Sequence, residues 1–328
     1  MTASAQAGRD APARNLRGGL GVAAAIAASI AFPALAGFED YLLFNAGVAM
    51  VYVLLAVGYN ILIGMCGQLA MSQVAFFGIG AYASALLTRD LGVPWPAALA
   101  AAIALPTAAA FVMARAAVRF SGPYLAMITF AFHSMALTIF INWTELTNGW
   151  GGVSRIPPAS VAGFAFDTPA RTYFLLLAAF WGAILLAARL RASRFGRAFF
   201  AIRENRLQAR AVGIDTAAYI TLAFCLSGAY AGLAGSLHAH FVRYIDPTSF
   251  GLPKLIDLLI IIIVGGRGGI WGVAISGLCF VLALEYLRFL QDWKLMIFGL
   301  GLIVLINASP NGLGDLLKPA MARLRGRP

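Results

Sequence analysis

Few side chains in this sequence are equipped for covalent chemistry. His133, His238 and His240 have no metal-ligand spacing with acids, so no metal site is expected. Cys66, Cys225 and Cys279 include no C-x-x-C pair, and their odd count argues against a disulfide frame; they read as small packing residues in or beside apolar runs. None of the three lysines, Lys254, Lys294 and Lys318, follows a glycine. No G-x-x-x-x-G-K-[ST] sequence occurs, so the chain lacks the phosphate-cradling loop of ATP hydrolysis. No catalytic residue and no cofactor is therefore expected. Two other kinds of chemistry remain. Gln68, Ser72, Gln73, Thr129, His133 and Asp257 are polar groups set in apolar stretches, where a buried polar group is costly and usually faces an interior passage. His133 is equally read as a satisfied interhelical histidine, and Asp257 as a solvated group near the interface. The second kind is the run from Arg189 to Asp215, with seven arginines against one acid, Glu204, before Asp215.

The elements that must hold these residues are membrane helices. The 328 residues are 61% hydrophobic and 11% charged, less than half the charge of a soluble domain, which is about 25%. The apolar residues come in runs long enough to cross a bilayer, about 17–25 residues each, rather than in the short alternating strands of a barrel. An all-α polytopic membrane protein is expected, with spans near 18–36, 40–63, 72–88, 95–114, 122–141, 172–190, 217–239, 253–264, 269–288 and 293–308, about ten in all. Segment 253–264 is too short to cross alone and reads as a re-entrant or broken helix. Segment 18–36 has signal-peptide features, and is read as a retained first span because a second span follows at once.

The net charge of +11 gathers at the N-terminus, at Arg115 and Arg119, in the 189–215 loop and at the C-terminal tail. This is the positive-inside pattern, and without an aromatic-interleaved basic patch it does not point to nucleic acid. It puts both termini, the polar N-terminus 1–17 and the tail 309–328 on the cytoplasmic side, and leaves 142–171 as the one sizeable external segment. The permease domain is then 18–308. The central loop can anchor topology and touch anionic lipid. It also has the composition of a cytoplasmic helix from about Ala198 to Val212, stopped at Gly213, with Ala209 and Gly213 small enough for close docking.

Two glycine-broken stretches interrupt the apolar runs. The first is GYNILIGMCGQLAMSQVAFFGIGAYASALL from Gly58 to Leu87, and the second is KLIDLLIIIIVGGRGGIW from Lys254 to Trp271. Non-helical backbone at membrane depth must line a cavity or be buried in protein. A weak echo, FFGIGAYA at 76–83 and FCLSGAYA at 224–231, is compatible with a structural repeat; a small-residue packing face is the favoured reading.

The first of these stretches resembles the signature of the LivM-type permease subunit of branched-chain amino acid ABC importers. SRFGRAFFAIREN with AVGI at 193–214, TNGWGGVSRIPP at 147–158, and the run from Asp257 through IVGGRGGIWG to Leu284-Glu285 add to the likeness, in the family's order. The resemblance spans about Leu55 to Arg288. It implies an integral-membrane subunit of the bacterial inner membrane without activity of its own. Its partners would be a LivH-type sister permease, two cytoplasmic ATPase subunits and a periplasmic substrate-binding protein. It also implies that Arg203, Glu204, Asn205 and Gly213 belong to the ATPase-coupling segment, and that Asp257 and Glu285 match acidic positions of the family. Ala70, Met71, Ser72 and Gln73 depart from the family's usual Ser-Leu-Gly run. The C-terminal ASPNGLGDLL matches its ending only in part. Urea, short amides or small aromatic carboxylates are alternative solutes. A stand-alone secondary transporter is the alternative from another class, with Asp257 as its one fair coupling carboxylate.

Overall fold

The structure, a computed structural model, describes residues 23–34, 37, 39–161 and 163–286. The tails 1–17 and 309–328, the span expected near 293–308 and the side chain of Glu285 lie outside the described residues.

Helix α1 covers Ala23–Ala34. It is followed by α2 (Asp40–Asn60), α3 (Gln73–Arg89), α4 (Trp95–Arg119), α5 (Pro123–Asn142), α6 (Pro169–Ala192), the short α7 (Arg194–Glu204) and α8 (Arg206–Ala211), then α9 (Thr216–Val242), α10 (Leu252–Gly265) and α11 (Ile270–Tyr286). Six helical segments among the described residues are long and apolar enough to cross a membrane: Asp40–Met65, Trp95–Arg119, Pro123–Asn142, Pro169–Ala192, Thr216–Val242 and Pro247–Gly265. The chain is thus a multi-pass helical membrane protein. The sequence pattern anticipated more spans than these six. Helix α3 has 17 residues, and Ala23–Ala34 and Ile270–Leu284 are shorter apolar helices. The segment that looked too short at 253–264 gains a 3-10 turn, Pro247–Phe250, at its N-terminal end, giving 19 residues.

Helix α9 is the centre of the bundle and packs on α2, α3 and α4. The close approach follows from small residues. Helix α4 buries Ala98, Ala102, Pro106, Ala110 and Ala114, one every four residues and so on one face. Pro106 has no N–H for the carbonyl of Ala102. That carbonyl faces α9 instead: a methyl group on Gly232 would lie 2.1 Å from it. A methyl group on Gly80 of α3 would lie 2.6 Å from Cα of Gly232. Both GAYA stretches therefore serve as packing faces: Gly80 approaches Gly232, just past the second stretch, and Gly228 approaches Pro106 and Ala110 of α4. They run in parallel, Gln73 bonding Ser227 and Ser84 bonding Ser236.

That second bond belongs to a buried chain. His240 Nδ1 lies 2.8 Å from the carbonyl of Pro157, which can only accept, so Nδ1 carries the hydrogen. In the neutral ring Nε2 then accepts from Ser84 at 2.9 Å, and Ser84 accepts from Ser236 at 2.7 Å. The chain fastens the 142–171 segment to α3 and α9. Two short strands, β1 (Val153–Ser154) and, after α9, β4 (Tyr244–Ile245), pair antiparallel and close the same end; β2 (Ser160–Val161) and β3 (Phe164–Ala165) make a small hairpin beside them. Helix α1 rests on α6, with Tyr173 and Trp181 both donating to Ser29.

Candidate functional site

Helix α2 widens into a π turn at Ile61–Met65 and then leaves helical form until Gln73. Such non-helical backbone inside an apolar bundle needs partners from its surroundings. They come from side chains. Tyr59 donates its hydroxyl to the Ala70 carbonyl at 2.6 Å, and Thr129 of α5 accepts the Met71 amide at 2.8 Å. Gln68 Nε2 bonds the Cys66 carbonyl at 3.1 Å. Gln73 joins three helices: its Oε1 accepts from Ser227 at 2.6 Å, and its Nε2 donates to the carbonyls of Ser227 and Leu55. The polar residues singled out in this stretch therefore divide. Gln68, Gln73 and Thr129 hold the irregular backbone together. Ser72 and His133 are equally buried, yet Ser72 Oγ and both ring nitrogens of His133 have no hydrogen-bond partner among the described residues. Thr129 sits one helical turn before His133 and accepts the amide of Met71, the residue before Ser72, which brings the stretch carrying Ser72 against the helix of His133. Buried polar atoms left without partners are uncommon, and Tyr82, Trp95, Arg206 and His238 each carry one as well.

Asp257 does not join that seam. It lies on α10, half-buried, with its carboxylate 3.6 Å from Lys254 Nζ, and that ammonium stands 4.3 Å from the Tyr52 ring of α2.

The arginine-rich loop folds as two short helices rather than one. Ser193 caps α7 by accepting the amides of Phe195 and Gly196. Asn205 turns the chain into extended geometry and caps α8 through the amides of Leu207 and Gln208. Gly213 takes a left-handed φ of +83°, and Asp215 caps α9. Three of the seven arginines, Arg203, Arg206 and Arg210, bond other parts of the fold, while Arg189, Arg191, Arg194 and Arg197 are exposed. Arg203 Nη1 donates to the Gly64 carbonyl at 2.6 Å and to that of Arg267 at 3.3 Å. Arg206 Nη2 donates to the Val118 carbonyl at 2.6 Å, capping the C-terminus of α4, where a cation also suits the helix dipole. Partial burial, and then the charge of Arg210, draw Arg206 below the ordinary arginine value. Arg210 Nε bonds Thr216 Oγ1 at 2.7 Å. Ala209 is 3% exposed, so it packs into its own chain. The exposed residues there are Glu204, Asn205, Leu207, Gln208, Arg210, Ala211, Val212 and Gly213; Leu207 and Val212 are 75% and 76% exposed. The three bonded arginines and the outward apolar pair were hidden in the sequence, where all seven arginines look alike.

At the opposite end, the 142–171 segment exposes Trp143, Trp150 and Phe164 beside Tyr244. Arg243 bonds the Asp167 carbonyl, and Tyr244 the Gly151 carbonyl. Partial burial acts to raise the Asp246 carboxyl there, and hydrogen bonds from the Ser249 and Thr248 hydroxyls outweigh it, holding the group below the usual aspartate value. No group of three or more His, Cys, Asp or Glu residues suited to a metal ion exists among the described residues.

The family described as "Branched-chain amino acid transport system / permease component" matches residues 41–306. The high-affinity branched-chain amino acid transport system permease protein LivM of Escherichia coli K12 is 28% identical over 304 residues, covering 86% of this chain and 72% of that one. The LivH permease protein of the same organism is 28% identical over 283 residues, covering 80% and 90%. No solved structure matches. A match that takes in the π turn, both glycine-broken stretches and the arginine loop puts this chain in the branched-chain amino acid transport permease family.

Proposed function

We propose that this chain is the membrane-spanning translocation subunit of an ATP-driven importer, taking branched-chain amino acids or a similar small polar solute. The observation that carries the reading is the loop 189–215. It is stiff, capped at each helix start, and bonded by Arg203, Arg206 and Arg210 to the ends of α2, α4 and α9, while it presents Leu207 and Val212 to the outside. An exposed apolar pair on a seated helix suits a protein partner better than a topology anchor, which needs only charge. That partner is a pair of cytoplasmic ATPase subunits, with Glu204, Asn205 and Gly213 on the same outward surface. Ala209 supports the surface from beneath and does not touch the ATPase.

In this reading the loop end is cytoplasmic in a bacterial inner membrane, both termini with it. The 142–171 end, with its exposed tryptophans, receives a periplasmic substrate-binding protein. A LivH-type sister permease completes the passage. Ser72 and His133 are the groups that meet the solute, and Gln68, Gln73 and Thr129 hold them in place. Asp257, already paired with Lys254, is a poor coupling site for an ion-driven carrier, which weakens the secondary-transporter alternative.

Co-purification tests the reading. A tagged chain expressed with its sister permease and ATPases is expected to retain both. Leu207→Asp with Val212→Asp is expected to lose the ATPases and keep the sister permease. If that double variant still retains the ATPases, the α8 surface has no part in docking them.

A further inference from the structure

Beneath the docking helices, three segments far apart in sequence meet backbone to backbone. The first is the π turn at Ile61–Met65 that ends α2. The second is the Gly265–Gly269 turn between α10 and α11. The third is the end of α7, carrying Arg203 and Phe200. Asn60, the last residue of α2, reaches across to the glycine turn: its Oδ1 accepts the Gly268 amide at 2.9 Å, and its Nδ2 donates to the Gly269 carbonyl at 3.4 Å. Arg203 closes the node from the loop side, donating from one nitrogen to Gly64 of the π turn and to Arg267 of the glycine turn.

The glycines there are a requirement of this junction. A methyl group on Gly64 would lie 1.8 Å from Asn60 Oδ1 and 2.5 Å from the Gly268 nitrogen. Gly67, at φ +71°, would put one 2.9 Å from Arg203 Cγ, and Gly268, at φ +80°, would put one 2.9 Å from the Phe200 ring. Between Gly64 and Gly268 the two backbones meet directly, and only the bonded side chains of Asn60 and Arg203 and the Phe200 ring fill the rest of the junction. Both segments that Arg203 grips are also places where a helix can bend. A π turn and a glycine-flanked break carry strained or missing i→i−4 bonds, and hinges are built from such positions.

We propose that Arg203 and Asn60 are positioning residues that pass movement of α7 and α8 to these two hinges. This rests on the reading of the chain as an ATP-driven permease subunit. From the π turn the path to the solute is short: residues 66–72 lead directly to Ser72, and Thr129 ties the same stretch to the helix of His133. From the glycine turn, α10 leads back to the Lys254–Asp257 pair. A shift of the docking helices pulls one guanidinium, and that guanidinium holds both hinges at once, so they move together. Arg206 and Arg210 hold single helix ends and do not couple two segments.

The complete importer, with its sister permease, ATPases and binding protein, reconstituted in proteoliposomes, tests this with radiolabelled leucine. The quantity read is leucine imported per ATP hydrolysed. Arg203→Met keeps the stem against Gly67 and removes the donors; Asn60→Ala removes the bridge to Gly268. In each, with the ATPases still bound, import per ATP is expected to fall about tenfold, the scale of a typical coupling between sites. The double variant is expected to be no worse than the poorer single one, because the two act as one unit. Arg203→Lys and Asn60→Asp, which keep part of the bonding, are expected to fall between and keep the comparison readable where a harsher variant does not insert. Wild-type import per ATP in Arg203→Met and Asn60→Ala, even with lowered thermal stability, would overturn the proposal and leave the node a structural clasp. Loss of the ATPases from Arg203→Met would also overturn it, by making Arg203 a docking residue. A wild-type complex that imports leucine without hydrolysing ATP would instead remove the functional reading beneath it.

Discussion

Thr129 shows how one side chain can decide whether an irregular stretch is tolerable. Its hydroxyl donates to the Leu125 carbonyl within its own helix and accepts the Met71 amide at 2.8 Å. Thr129→Val keeps the shape and strands that amide, so stability in detergent is expected to fall by about 1–3 kcal/mol, while Thr129→Ser holds most of it. Thermal melting checks both. His133 has the opposite profile. It bonds nothing among the described residues, so His133→Leu is expected to leave melting within a few degrees of wild type and to lower leucine uptake; unchanged uptake would take His133 out of the passage. Asp246 gives a pH dependence with a definite sign. Its folded-state pKa is depressed, so its contribution is present at neutral pH and is lost as pH falls through that lowered value, below the ordinary aspartate range. The melting gap between wild type and Asp246→Asn is expected to be widest near neutral pH and to close as pH falls through the lowered value. A gap that widens on acidification would contradict the assignment.

At the scale of elements, the central contact is made of missing side chains. Gly80, Gly232 and the freed carbonyl of Ala102 bring α3, α9 and α4 within touching distance. Gly232→Val drives a side chain into backbone rather than into another side chain, and is expected to cost about 3 kcal/mol or more, or to prevent stable insertion. Gly182 on α6 is the control. Nothing lies within 4 Å of an added methyl group there, so Gly182→Ala is expected to be neutral or stabilising by about 0.5–1 kcal/mol. Melting of the pair in detergent checks the contrast. Much of this level was legible in the sequence. The spans at 40–63, 95–114, 122–141, 172–190 and 217–239 each correspond to a helix, because long apolar runs have no other way to satisfy their backbone in lipid. The GAYA stretches were read as a small-residue packing face, and each packs closely, Gly80 on Gly232 and Gly228 on Pro106 and Ala110 of α4. The loop was less legible. Composition suggested one helix from Ala198 to Val212, yet Asn205 caps more strongly than it continues, so it divides the segment. Ala209 looked like docking surface because a small residue gives no sign of which side it faces. The partners of Arg203, 139 residues away at Gly64, and of Asn60, 208 residues away at Gly268, are products of the fold and leave no local trace.

The whole molecule is a bundle with two unlike ends. At one, arginines stitch short helices onto the ends of the spans; at the other, a paired strand and a buried Ser236–Ser84–His240 chain lock the 142–171 segment in place. Glycine-broken segments and partnerless polar groups lie between. In a cysteine-free background, a single cysteine at position 205 is expected to label only from the cytoplasmic side and one at position 150 only from outside; the reverse would invert the orientation. The division of labour between this chain and a separate energy source is the claim on which the rest stands. Its most direct test compares leucine accumulation by the chain alone with that by the complete importer, in proteoliposomes with or without ATP and with imposed proton or sodium gradients. The account predicts uptake only from the complete importer and only with ATP. Accumulation by the chain alone, driven by an ion gradient without ATP, would contradict it.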